Sequence, residues 1–131
     1  MYIVVHVKKE ARNKKERDAA NLKFGGYLRQ KREAAEVSLR ALATRLDVDP
    51  TYLSKVEMGK IPVSERIAQD AARLLGEDAD VLYAKARRIS SDLIEVIARR
   101  PQAFAKLIRQ LKESPDETIL RVAREVRDGE W

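Results

Sequence analysis

Cysteine is absent from the 131 residues, so neither disulfides nor thiolate metal sites can hold or operate the fold. Aromatic residues are scarce too, with two Phe and one Trp, and any core must be a modest one built from Ala, Leu, Ile and Val. There is one histidine, His6, and neither a glycine-rich phosphate loop nor a metal-ligand spacing, which leaves catalysis almost nothing to work with. No enzymatic role, metal or cofactor is expected. Long apolar runs are missing as well. The stretch Tyr2 to Val7 is interrupted by His6, is far too short to cross a bilayer and carries no cleavage pattern. A chain working in a reducing cytoplasm, away from membranes, is the expectation.

What is plentiful is charge on an Ala- and Leu-rich background, the usage of packed helices, so the expected fold is all-α. The net charge of +6 is unevenly spread. Residues 1–23 carry seven Lys/Arg and three Asp/Glu, residues 24–60 seven and five, and residues 61–131 thirteen and thirteen. A basic first half points to a polyanion such as nucleic acid, and a balanced second half to protein contact.

Along the chain, residues 1–23 read as a basic arm, disordered or a frayed helix, because Lys8 to Lys23 has no apolar face and the β-prone Tyr2 to Val7 has no second strand to pair with. From Phe24, the residues Phe24, Tyr27, Leu28 and Ala35 share a helical face. Ser38 offers an N-cap for a short helix with Leu39, Leu42, Ala43 and Leu46 inward, ended by Asp47-Val48-Asp49. Asp49-Pro50 starts a third helix reaching Glu57, with Leu53 and Val56 inward and Gly59 as its stop. Ser64 caps a fourth helix, with Ile67, Ala71, Leu74 and Leu75 inward, to Gly76; a fifth spans Ala79 to Ile89. Three more are expected over Asp92 to Arg99, Gln102 to Lys112 and Pro115 to Arg127, the last with Ser114 as N-cap, Pro115 at the first position and Glu117 closing a capping box. The division is thus an arm (1–23), a domain (24–89) and a helical C-terminal region (90–131).

Two helices of about eight residues joined by a three-residue turn are short for an ordinary bundle. In this arrangement the second can put its first turn into the DNA major groove while the first lies across it. The residues sharpen this: Ser38-Leu39-x-x-Leu42-Ala43-x-x-Leu46-x-Val48-x-x-x-Tyr52-Leu53-Ser54-Lys55-Val56-Glu57-x-Gly59-Lys60 closely resembles the phage-repressor-like XRE family. Phe24-Gly25 and Leu28-Arg29-x-x-Arg32 extend the match upstream, and Ile67 to Leu75 downstream, over about 50 residues. The resemblance implies a five-helix, lambda-repressor-like helix-turn-helix domain that binds double-stranded DNA and regulates transcription, as a repressor in the type case.

By position, the resemblance makes Leu39 to Leu46 the supporting helix and Asp49 to Glu57 the recognition helix. Pro50, Thr51, Tyr52 and Lys55 then face bases or adjacent phosphates, with Asp49 at the helix start. Ser38, Leu39 and Lys60 fall at backbone-contacting positions, and Arg32 with Glu57 at those of a buried ion pair that holds the fold without touching DNA. Lys55 can donate to guanine O6 and N7 or to phosphate, whereas Pro50 offers only apolar contact, for instance to a thymine methyl. The chain departs from the family at Asp47, where glycine is common, and at Asp49-Pro50, where small or amide residues are. A carboxylate so close to phosphates must act as a helix cap or read a cytosine amino group.

Beyond the resemblance, residues 90–131 carry the apolar stripes Leu93-Ile94-Ile97, Phe104-Leu107-Ile108-Leu111 and Ile119-Val122-Ala123-Val126, more than one small domain needs. They either close an enlarged core, join two copies into a homodimer, or hold a foreign partner, as in antitoxins that share this DNA-binding fold and neutralise a toxin.

Overall fold

A computed structural model describes residues 2–129, with side chains from Asn13 onward. Among these residues there are eight helices and no strand: α1 (Tyr2–Ala34), α2 (Leu39–Leu46), α3 (Pro50–Glu57), α4 (Glu65–Leu75), α5 (Ala79–Lys85), α6 (Ser91–Arg99), α7 (Pro101–Leu111) and α8 (Asp116–Asp128). They form two compact units that divide between Ser90 and Ser91. The fold is all-α, with a helix-turn-helix pair at α2 and α3.

In the first unit, local chemistry sets both ends of its short helices. Ser38, Asp49, Ser64 and Asp78 sit in extended backbone, and each side chain accepts a backbone N–H of the first turn, at 3.0, 2.7, 3.3 and 3.0 Å. Pro50 fills the first position of α3, where a missing N–H costs nothing. The C-terminal ends are uniform. Glu36, Asp47, Gly59, Gly76 and Arg87 all adopt left-handed backbone, and the N–H after each returns to the carbonyl five residues before it, over 2.8–3.3 Å.

These helices enclose one core. Phe24 and Leu28 of α1, Leu42 and Leu46 of α2, Leu53 and Val56 of α3 and Leu82 of α5 are buried around the alanines 68, 71 and 72 of α4. The α1–α3 approach is set by Gly25, where a Cβ would lie 2.4 Å from the carbonyl oxygens of both Val56 and Glu57.

Several expectations need correction. The helix expected from Phe24 begins at Tyr2, so the backbone of the segment read as an arm continues α1. No glycine or proline precedes Gly25, and once Phe24 to Arg32 is anchored, extending the helix costs far less than nucleating it. The side chains of His6, Lys8, Lys9 and Arg12 lie outside the described ones. Ala35 falls past the end of α1 and is exposed. On α4 the buried stripe is Ile67, Ala68, Ala71 and Ala72, which turns Leu74 outward, 40% exposed, and leaves Leu75 half-buried. The left-handed turn at Arg87 ends α5 at Lys85 rather than Ile89. Pro115 has extended backbone (ψ 161°), so it occupies the N-cap position of α8 that was expected for Ser114, without a side-chain cap.

In the second unit α6 packs on α7, and no residue of α6, α7 or α8 is buried. Ile97, Phe104, Leu111 and Val122 are half-buried, while Leu93, Ile94, Leu107, Ile108, Ile119 and Val126 are exposed. No helix among the described residues is long and apolar enough to cross a membrane.

Candidate nucleic-acid interface

The interface begins with what holds α3 in place. Leu53, Val56 and Glu57 are its buried face. Glu57 is clamped by Arg32, whose Nε donates to Oε2 at 2.8 Å and Nη2 to Oε1 at 2.9 Å. Arg32 Nη1 also donates to the Val37 carbonyl at 2.9 Å, so one guanidinium fixes the exit of α3 and the entry to α2 together. The side chains are only 10% and 4% exposed, and no buried side-chain nitrogen or oxygen is unsatisfied among the described residues. The hydrogen bonds to Glu57 hold the Arg32 guanidinium above its ordinary pKa, against the opposing effect of burial.

On the other face of α3, Thr51 and Lys55 are exposed one turn apart, with Pro50, Tyr52 and Ser54 partly so. The Asp49 carboxylate accepts the Thr51 N–H at 2.7 Å, the capping use that makes an acid tolerable at this position. Tyr52 packs against the core, and its hydroxyl accepts the Ser64 N–H at 3.4 Å, so its geometry is that of a brace between α3 and α4. Lys60 is exposed, and its N–H returns to the Lys55 carbonyl at 2.9 Å, placing it directly after the left-handed turn at Gly59. Ser38 is exposed at the start of α2, its Oγ accepting the Ala41 N–H and leaving its own hydroxyl proton to donate elsewhere. Leu39 is half-buried against the core.

Thus Asp49, Thr51, Lys55 and Lys60 lie along α3 and the turn after it, Ser38 and Leu39 open α2, and Arg32 with Glu57 braces the two from inside. Sequence reasoning missed Met58, which is 46% exposed at the end of α3. It also missed Arg88, whose Nη1 donates to the Val63 carbonyl while its guanidinium lies 4.5 Å from the Tyr83 ring centre. No linear spacing joins residues 63, 83 and 88. A third omission is the cluster at Glu77, which accepts from Tyr27 at 3.4 Å and Lys31 at 3.2 Å and ties α1 to the end of α4.

The family described as "Helix-turn-helix domain" matches residues 23–84, α2 and α3 included. Two uncharacterized HTH-type transcriptional regulators, from two strains of Mycobacterium tuberculosis, are each 42% identical over 62 residues, 47% of this chain and 44% of theirs. The chain therefore spans less than half the length of these curated relatives. A solved structure, the clp gene regulator ClgR from Corynebacterium glutamicum, is 24% identical with a TM-score of 0.48, over 70% of this chain and 92% of that one. The family match and the geometry of α2 and α3 agree on a helix-turn-helix domain over residues 23–84, similar to the one in the two HTH-type transcriptional regulators.

Proposed function

We propose that the chain is a sequence-specific regulator that binds duplex DNA as a homodimer, places α3 in the major groove and represses transcription by occupying its operator. The observation that carries this is the mounting of α3. A short helix within the matched residues is clamped from behind by Arg32 and Glu57, and it presents Thr51 and Lys55 outward on successive turns. Thr51 and Lys55 suit base edges, Ser38 and Lys60 the flanking phosphates, and Leu39 and Pro50 apolar contact. Tyr52 acts on DNA by holding the α3–α4 junction rather than by reading bases. The cytoplasm, where a bacterial-type operator is reached directly, is the proposed site of action.

The dimer rests on the second unit, whose amphipathic helices bury nothing of their own. Two recognition helices would then lie about 34 Å apart, one turn of DNA. Selection from a random duplex library followed by footprinting tests the reading; enrichment of a two-fold-symmetric site is expected, and no enriched sequence would overturn specificity. The same exposed surface favours a second reading, in which α6–α8 hold a foreign protein as an antitoxin does. A chain that stays monomeric on its operator would favour that reading.

A further inference from the structure

A cleft of about 1110 Å³ opens in the first unit between the turns of α1 before Phe24, the segment joining α3 to α4, and the turn after α5. Five cations line it from three elements: Lys14 and Arg17 on α1, Lys60 after α3, and Arg87 and Arg88 after α5. Only Glu16 and Asp18 oppose them. Among the described residues no carboxylate pairs with Lys14, Arg17, Lys60 or Arg87. Arg88 is preorganised by the Val63 carbonyl and the Tyr83 ring. Arg87 stands in left-handed backbone (φ 55°), where glycine would be free of strain, so the fold carries a guanidinium at a position that costs it stability.

The lining is not only charged. Ala20, Val63 and Ala86 are buried residues that contribute apolar surface to the cleft, beside the half-buried Tyr52. A nucleic-acid backbone meets such a surface mainly through its phosphates, with only the sugar edges to offer the apolar lining, whereas a phosphate or carboxylate carried on an apolar body uses both kinds of surface.

We propose that this cleft binds a small organic anion, a phosphate or carboxylate on an apolar or aromatic body, and that occupancy weakens DNA binding through Lys60. The second clause rests on the DNA reading above; the first does not.

The test titrates 1-naphthyl phosphate into the full chain without DNA, following backbone amide shifts. Saturable shifts are expected at residues 14–21, at Lys60, Ile61, Val63 and Ser64, and at residues 86–88, with a Kd of about 1 mM or tighter. Inorganic phosphate alone, lacking the apolar body, should bind about tenfold more weakly. Arg87→Gly suits the left-handed backbone, so it should melt at or above the wild-type temperature while binding 1-naphthyl phosphate about tenfold more weakly. Arg17→Ala should show a similar loss. Absence of saturable shifts in the cleft, or wild-type affinity in both variants, overturns the site.

The selected duplex is then titrated with and without saturating 1-naphthyl phosphate. A duplex affinity lowered about tenfold or more is expected, the size of one lost charged contact, and an unchanged affinity overturns the coupling. If Arg87→Gly instead weakens duplex binding and lowers its salt slope by about one, with no ligand bound, the cleft belongs to the DNA footprint and the small-anion proposal fails. A chain that binds no duplex at all would sink the DNA reading and the coupling, while the first titration would still decide the cleft.

Discussion

Lys55 and Glu57 lie two positions apart on α3, one exposed and the other buried under Arg32. Lys55→Ala should leave stability within about 0.5 kcal/mol while weakening operator binding by about 1–3 kcal/mol, the worth of a base contact. Glu57→Ala strands a buried guanidinium and should cost on the order of 3 kcal/mol of stability, with binding falling only as the folded fraction falls. Melting curves paired with affinities taken well below the melting range separate the two; equal operator binding by Lys55→Ala and wild type would remove α3 from the role of reader. Glu36 makes a different point. It holds a left-handed turn (φ 57°) with an exposed side chain, so Glu36→Gly should raise stability by about 0.5–1 kcal/mol, which thermal denaturation can detect. At this scale the caps were legible, because Ser38, Asp49 and Ser64 each act within three residues of themselves. The contacts of Arg88 and Glu77 were not, since they join residues up to 50 positions apart that only the packed helices bring together.

At the scale of elements, the closeness of α1 to α3 depends on one missing methyl group. A Cβ on Gly25 would meet backbone carbonyls rather than a side chain that could step aside, so Gly25→Ala should destabilise by about 1–3 kcal/mol or more, and a denaturant melt should show it. The bounds of α2 and α4 were readable because Ser38 and Ser64 open them and the left-handed residues Asp47 and Gly76 close them. The start of α1 was not readable, for Lys8 to Lys23 has no apolar face, the β-prone Tyr2 to Val7 precedes it, and no terminating residue marks a boundary between them. What that extension contributes can be measured. Deleting residues 1–12 removes Lys8, Lys9 and Arg12 against Glu10 and leaves in place Ala20, the first buried residue of α1 among the described side chains. Melting should be unchanged, and the dependence of log affinity on log salt should become shallower by about two, with site preference intact. An unchanged slope would mean that these cations touch no phosphate.

At the scale of the whole molecule, the two units differ in kind. The first closes a core around Phe24, Leu28, Leu53 and Leu82, whereas the second has apolar stripes and no buried residue among those described. Periodicity revealed the stripes but not what covers them, because a helical face reads alike whether it packs on its own chain or on another. A second copy is the proposed cover, and α7 offers the cleanest place to test it, since Leu107 and Ile108 are 40% and 51% exposed. Leu107→Glu with Ile108→Glu would put two carboxylates from each copy, four in all, into a symmetric apolar interface. Such a pair should abolish the dimer in light scattering while leaving the melting of residues 1–90 unchanged, because no residue of that core is altered. Operator binding should fall by about two to four orders of magnitude on a site with two half-sites, because each half-site would then be bound separately, and change little on a single half-site. A double variant that remained dimeric would place the interface elsewhere, and one that became monomeric without losing affinity for the paired site would show that the two recognition helices never act together.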